Sequence, residues 1–374
     1  MRSVRPRRHA VVHGVPDREG NAVEVLRHLL QHYDGEVYWL VASDGSDATW
    51  MLADLDRSRL HPVPKRSLRA FHRYVTAELV FFTHGLFGSP PPPADRTVVN
   101  VWHGDGPKRT ANSAFRAQLS STYLVAGTEQ FGRSKAAGLG MSPSALLVTG
   151  NPRVDQMGRP VAPAALAALG LDPAAPVVVW APTYRESGGG EGQSWSDSGR
   201  LSTRADLLED LRAADDLVRR LGGQIVVKPH MLDADDYATG GFRVITDADL
   251  AAAQVSFYGL LGHSRCLVTD YSSIWTDYLT LDRPIGHFCP DLEEYQLGRG
   301  FNVTDFAGSL AGPLLQDRTS LLGFLQEVLD GGDPEGERRE RVATEIGAVT
   351  ALGATERLMA ALGHPALRTP HART

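Results

Sequence analysis

Short apolar runs recur along this chain, separated by segments of helical period, and that alternation restricts the fold more than any other feature. The runs occupy residues 9–13, 37–42, 79–83, 98–102, 123–126 and 146–149. They resume at 177–181, 225–228, 242–245, 267–269 and 285–288. Between them lie periodic stretches such as 22–31, 205–221 and 321–329. Strands alternating with helices build parallel sheets from βαβ units. The rhythm breaks at 158–176, a stretch rich in Ala and Pro. A chain of 374 residues exceeds what one core comfortably serves. We therefore expect an α/β protein of two doubly wound, Rossmann-like domains facing a central cleft. Residues 1–160 would form the first and 171–330 the second. Helix-forming text at 335–363 can pack back across the junction.

Composition narrows the partners. A net charge of −6 argues against a nucleic-acid binder. The two cysteines, Cys266 and Cys289, have no metal-ligand spacing and form no paired framework. That suits a reducing cytoplasm and implies neither a metal nor a disulfide scaffold. No run reaches the length of a membrane span. The N-terminus carries Arg2, Arg5, Arg7 and Arg8 without an apolar secretory core. It reads as a solvated tail, with contact to anionic lipid as the alternative. The amphipathic stretch 67–79, flanked and dotted by Arg66, Arg69, His72 and Arg73, offers the same choice between a solvated face and a membrane surface. A Gly/Ser-rich loop at 186–200, carrying Trp195, is long enough to be a lid or a disordered insertion.

In open α/β sheets, ligands bind beyond the carboxyl ends of the strands. Five apolar runs here end in unusual polar groups: His103 to Arg109, Gly150 to Asp155, Trp180 to Arg185, Lys228 to His230, and Thr269 to Ser273. Four supply cationic or imidazole groups. The fifth supplies adjacent serines ahead of a helical segment, where hydroxyls, backbone N–H groups and the helix dipole suit an anion. An ordinary helix cap is the alternative for Ser272 and Ser273, as for Asp270. The inventory suits a substrate with adjacent phosphates. No Walker sequence is present, nor a dinucleotide fingerprint after the first strand, so a P-loop kinase and a nicotinamide dehydrogenase lose ground. His103 is the candidate general base, since an imidazole with a pKa of about 6.5 takes a hydroxyl proton near neutrality.

The ordered set WHG, GNPRVD, APTYR, KPH, TDYSS and RPIGHFCPDLEEY followed by RGF resembles the CDP-glycerol glycerophosphotransferase family of teichoic acid primases and polymerases. The resemblance implies a GT-B fold, acceptor side N-terminal and donor side C-terminal. It also implies transfer of glycerol phosphate, or a related polyol phosphate, from a CDP-linked donor to a hydroxyl of a lipid-linked acceptor. CMP leaves, and neither a metal nor another cofactor is used. By motif, His103 and His230 become the catalytic histidines. Pro107, Lys108, Arg109, Thr110 and Ala111 become a donor-binding segment. Arg153, Pro182 and Thr183 add donor contacts; Lys228, Pro229 and His230 form a phosphate motif; Ser272, Ser273 and Asp277 complete the set. The expected partners are CDP-glycerol or another CDP-polyol, a lipid-linked glycan or polyol-phosphate acceptor, and the inner face of the cytoplasmic membrane.

Two departures stand out. The family motif Arg-Gly-Phe-Tyr here ends in Asn302, and Pro-Gly-Pro appears as Ala311-Gly312-Pro313. The chain also begins close to its first strand, which reads as a minimal member. Two rival functions remain at this stage: a GT-B sugar transferase or nucleotide-sugar epimerase, since fold alone does not fix chemistry, and a non-catalytic polymer-assembly factor.

Overall fold

The computed structural model describes residues 5–42, 48–88, 90–102, 104–108, 119–183, 204–229, 237–238, 240–298 and 300–367. They fall into two compact units, described separately below. The chain leaves unit 1 after Asp105 for a short excursion that starts at Gly106, and leaves it again after Arg159. It returns at Ile346. The stretch read as one helical segment at 335–363 is two helices, Gly336–Glu345 in unit 2 and Ala354–Leu362 in unit 1. Gly347 and Gly353, both at positive φ, interrupt the helical text.

Unit 1 holds seven strands: β1 (Arg7–His13), β2 (Glu36–Val41), β3 (Leu60–Pro64), β4 (Ala77–Phe82), β5 (Thr97–Asn100), β6 (Tyr123–Ala126) and β7 (Leu146–Val148). Their order is β3-β2-β1-β4-β5-β6-β7, and every pairing is parallel. Both faces are covered, which is why the strands read as continuous apolar runs. Val12, Trp39 and Phe81 pack into one cluster with Val25, Leu26 and Leu29 of the helix Gly20–His32. Val11, Leu40 and Phe82 point to the other side, against Tyr74 of the helix Leu68–Thr76. Strand β3, LHPVP, escaped the sequence reading. Its two prolines argue against a strand, yet it pairs only with β2 at the sheet edge, where a missing N–H is tolerated.

The amphipathic stretch expected at 67–79 divides at Thr76, where the helix ends and β4 begins. Its exposed side carries Leu68, 89% exposed, and Phe71, 47% exposed.

Unit 2 holds β8 (Val177–Ala181), β9 (Gln224–Val227), β10 (Cys266–Thr269), β11 (Ile285–Phe288) and β12 (Leu314–Leu315), in the order β12-β11-β10-β8-β9, again all parallel. Val178, Trp180, Val227 and Val268 pack with the helices Arg204–Arg220 and Arg318–Leu329. The apolar run at 242–245 is not a strand. Val244 N–H bonds back to Phe242 O, and one bridge to Val227 is all the pairing it makes. The two-residue β12 was too short to register as a run.

The helix Ala354–Leu362 closes unit 1 from the far end of the sequence. Leu358 and Met359 enter the core beside the first helix. Its N-terminus is capped at long range. The Asp155 carboxylate accepts from the N–H groups of Gly353, Ala354 and Thr355 and from the Thr355 hydroxyl, at 2.6–2.9 Å. Replacing this cap leaves helix donors unsatisfied. Asp155→Ala is expected to lower stability by about 1–2 kcal/mol, read as a lower urea midpoint at unchanged m-value.

Candidate active site

In unit 2 the strand order reverses direction between β8 and β10, so the loops after these neighbouring strands diverge and leave a crevice. Two bonds tie the strand ends together. Thr269 Oγ1 donates to Ala181 O at 2.7 Å. Asp270 accepts from Thr183 N–H at 2.9 Å and from its hydroxyl at 2.5 Å. Asp270, 3% exposed, therefore orients the loop after β8. Thr183 spends both donors on that carboxylate. Pro182 lines a small cavity with Trp180, Leu207, Thr269, Asp270 and Phe288.

Ser272 and Ser273 follow Asp270, and the capping alternative fails for them. Ser273 lies at φ −72°, ψ −1°, and its side chain caps nothing. Among the described residues, Ser272 Oγ is reached only by Ile274 N–H, at 3.4 Å, a weak contact. Both serines are half-buried, so their hydroxyls face partial solvent. The helix that follows, Ile274–Tyr278, is five residues long, too short for the dipole invoked from sequence to count for much.

The excursion at Gly106 belongs to this site. A Cβ on Gly106 would stand 2.8 Å from Ser273 Cβ and 3.1 Å from its Cα, so only glycine permits this approach. Pro107 is buried and Lys108 half-buried. Lys108 forms an antiparallel bridge with Phe301. Asn302 N–H donates to Pro107 O at 2.7 Å, and Asn302 Nδ2 donates to Lys108 O at 2.8 Å.

Beneath these segments lies a stack of rings. Tyr271 and Tyr295 stack at 3.6 Å, Phe301 and Phe306 at 4.0 Å, and Tyr295 and Phe301 at 5.5 Å. The Tyr271 hydroxyl donates to Asp291 at 2.8 Å.

Other expected residues of unit 2 lie further along the strand ends. Lys228 Nζ is 3.1 Å from Asp247 Oδ1 and 5.6 Å from the centre of the Phe257 ring. Pro229 is buried beside it. Asp277, expected at the same mouth as the serines, is 3% exposed, and its Oδ2 accepts from the Tyr258 hydroxyl at 2.6 Å.

Arg153 stands in unit 1, with its guanidinium 3.8 Å from Glu19 and its N–H on Asn21 Oδ1 at 3.0 Å. His103, Arg109, Thr110, Ala111 and His230 lie outside the described residues, as do Tyr184, Arg185 and the loop 186–200.

The residues that hold the WHG turn were not singled out from sequence. Asn21, fully buried, donates to Val101 O at 3.0 Å and Trp102 O at 2.8 Å. Asp105 accepts from the N–H groups of Gly127 and Thr128 at 3.0 Å and from the Thr128 hydroxyl at 2.8 Å. Lys135 Nζ lies 3.7 Å from it. Gly104, at φ +136°, makes the turn between these anchors. Both anchors were visible as polar letters in strand-end and helix-start text, but nothing local marks them as buried. Also at the carboxyl end of this sheet, His13 is pushed down to about 4 by burial. His84 is lowered for the same reason, and its Nδ1 is 3.0 Å from Thr83 Oγ1.

Two doubly wound parallel sheets with polar strand ends define a GT-B-type α/β protein. A solved structure entitled "Structure of the Wall Teichoic Acid Polymerase TagF, H548A" has that fold in common with it: TM-score 0.72, 17% identity, 96% of this chain and 89% of that one covered. The family model for CDP-Glycerol:Poly(glycerophosphate) glycerophosphotransferase matches residues 10–362, and the chain belongs to that family. A teichoic acid poly(glycerol phosphate) polymerase of Bacillus subtilis (strain 168) is 24% identical over 326 residues, which is 79% of this chain and 40% of that protein. A teichoic acid ribitol-phosphate primase of Bacillus spizizenii is 34% identical over 114 residues, 26% of this chain and 28% of the primase. The alignments thus span less than half the length of either curated relative.

His287 sits directly behind the Asp270 turn, paired in register with Thr269 and edge-on to Trp275 at 5.6 Å. Burial drives its pKa from 6.5 down to about 3. The unfolded chain takes up a proton that the folded one refuses, so stability present above 6.5 is lost as pH falls from there toward 3. His287→Leu is expected to flatten the acid limb of a plot of denaturation midpoint against pH; an unaltered slope would show that this ring does not set it.

Proposed function

We propose that the chain transfers glycerol phosphate, or a related polyol phosphate, from CDP-glycerol or its CDP-polyol counterpart to a hydroxyl of a lipid-linked acceptor, releasing CMP, in the synthesis of teichoic acid or a related cell-surface polymer. The observation that carries this reading is the serine pair at the reversal point of the unit 2 sheet, whose Ser273 caps no helix among the described residues, with Gly106 laid against Ser273 and Lys108 two residues further on. Family membership and the relatives' names supply the chemistry that such a site would serve.

The acceptor oxygen attacks the phosphorus that bears the polyol. A P–O bond forms there as the anhydride P–O bond breaks, and CMP departs with the electron pair. His103 takes the acceptor proton. Lys108, Lys228, His230, Ser272 and Ser273 hold the pyrophosphate and the charge that grows on the departing CMP. Asp270 orients Thr183 and Pro182 at the donor mouth. The work is positioning and electrostatics, as in other phosphoryl transfers.

A lipid-linked acceptor brings the chain to the inner face of the cell membrane. The exposed Leu68 and Phe71, beside Arg66 and Arg69, form the face suited to meet it. No helix among the described residues is long and apolar enough to cross a membrane.

The deciding experiment offers a panel of CDP-linked and UDP-linked donors with lipid-linked acceptors and follows nucleotide release. CMP from CDP-glycerol or another CDP-polyol, with no UMP or UDP, is expected; the reverse pattern would favour a sugar transferase or epimerase. Ser272→Ala and Ser273→Ala are each expected to raise the donor KM about tenfold, through loss of a hydrogen bond to a charged group. His103→Ala should lower turnover about a hundredfold or more at little cost in donor binding. Unchanged turnover would remove His103 from the role of base.

A further inference from the structure

We infer that Asn302 is a positioning residue that latches residues 106–108 onto unit 2, so that Lys108 and Ser273 are presented together to the donor's phosphates. This rests on the transferase reading above.

Residues 106–108 are held against unit 2 through their backbone. Pro107 has no N–H, so its peptide group can be held by a hydrogen bond only through its carbonyl. Two carbonyls of the segment, those of Pro107 and Lys108, take their donors from one residue. Asn302 supplies the donors: its N–H to Pro107 O at 2.7 Å and its Nδ2 to Lys108 O at 2.8 Å. A carboxamide is needed for the second bond, since a carboxylate of the same shape offers no proton.

The latch is rigid because Phe301, its chain neighbour, is 9% exposed and stacked on Phe306 at 4.0 Å. The same rings extend to Tyr271, which immediately precedes the serine pair. One aromatic stack thus fixes both Ser272–Ser273 and the residue that grips Lys108.

The test compares Asn302→Asp and Asn302→Ala with the unaltered protein. Steady-state CMP release from CDP-glycerol gives the donor KM and kcat, and amide hydrogen exchange reports on the backbone around 104–108 and 300–303. The expected result is a donor KM raised about tenfold, kcat changed less than about threefold, and faster exchange in both segments. In a Lys108→Ala background, the same substitutions should add almost nothing to KM, because the effect passes through Lys108. An unchanged KM, a full additional loss in that background, or unchanged exchange would overturn the latch. If the unaltered protein releases no CMP from any CDP-polyol while exchange still quickens in the variants, the transferase reading fails and the latch stands as a structural grip.

Discussion

Every strand in both sheets runs parallel to its neighbours, and the rest of the structure depends on that. Parallel strands bring all their carboxyl ends to one edge of a sheet, and the helices that must return the chain cover both faces. In such sheets the loops at the carboxyl edge are where ligands bind. In unit 2 the edge gains a second property where β8 and β10 lie side by side, because their loops leave in opposite directions. Asp270 turns this into a defined shape by drawing Thr183 across the gap. The serines follow Tyr271, and among the described residues Ser273 caps no helix.

Much of this was legible because burial on both faces forces continuous apolar strands. Runs ending at Ala181 and Thr269 announced β8 and β10 and, with them, the polar residues that follow. Where the rule loosens, the reading failed. Strand β3 sits at an edge and tolerates Pro62 and Pro64; the run at 242–245 is apolar yet bends back on itself through Val244. The serine pair was visible, but whether Ser273 caps the helix after it was not, since that turns on side-chain geometry that no sequence window carries.

Long-range grips were the least legible. Asn302 reaches Lys108 across 194 positions, and Asp155 reaches Thr355 across 200. Each is a polar letter whose partner lies in another part of the chain, so no window of sequence contains the pair. Asn21 and Asp105 belong to the same class: they anchor a turn whose importance was evident from Trp102 and Gly104, without local text to say what anchors it.

The return of the helix Ala354–Leu362 to unit 1 bears on how the protein is made. During synthesis, residues 160–345 leave the ribosome before the helix that Asp155 caps and that fills the core with Leu358 and Met359. Domains generally fold as units in the order they emerge. Here the order is inverted in part: the later unit has all of its strands while the earlier one still exposes the apolar flank of its first helix. The vulnerable interval for aggregation or chaperone capture is therefore set by the time needed to translate unit 2, and slow codons within it would lengthen the exposure of a surface that lies in unit 1.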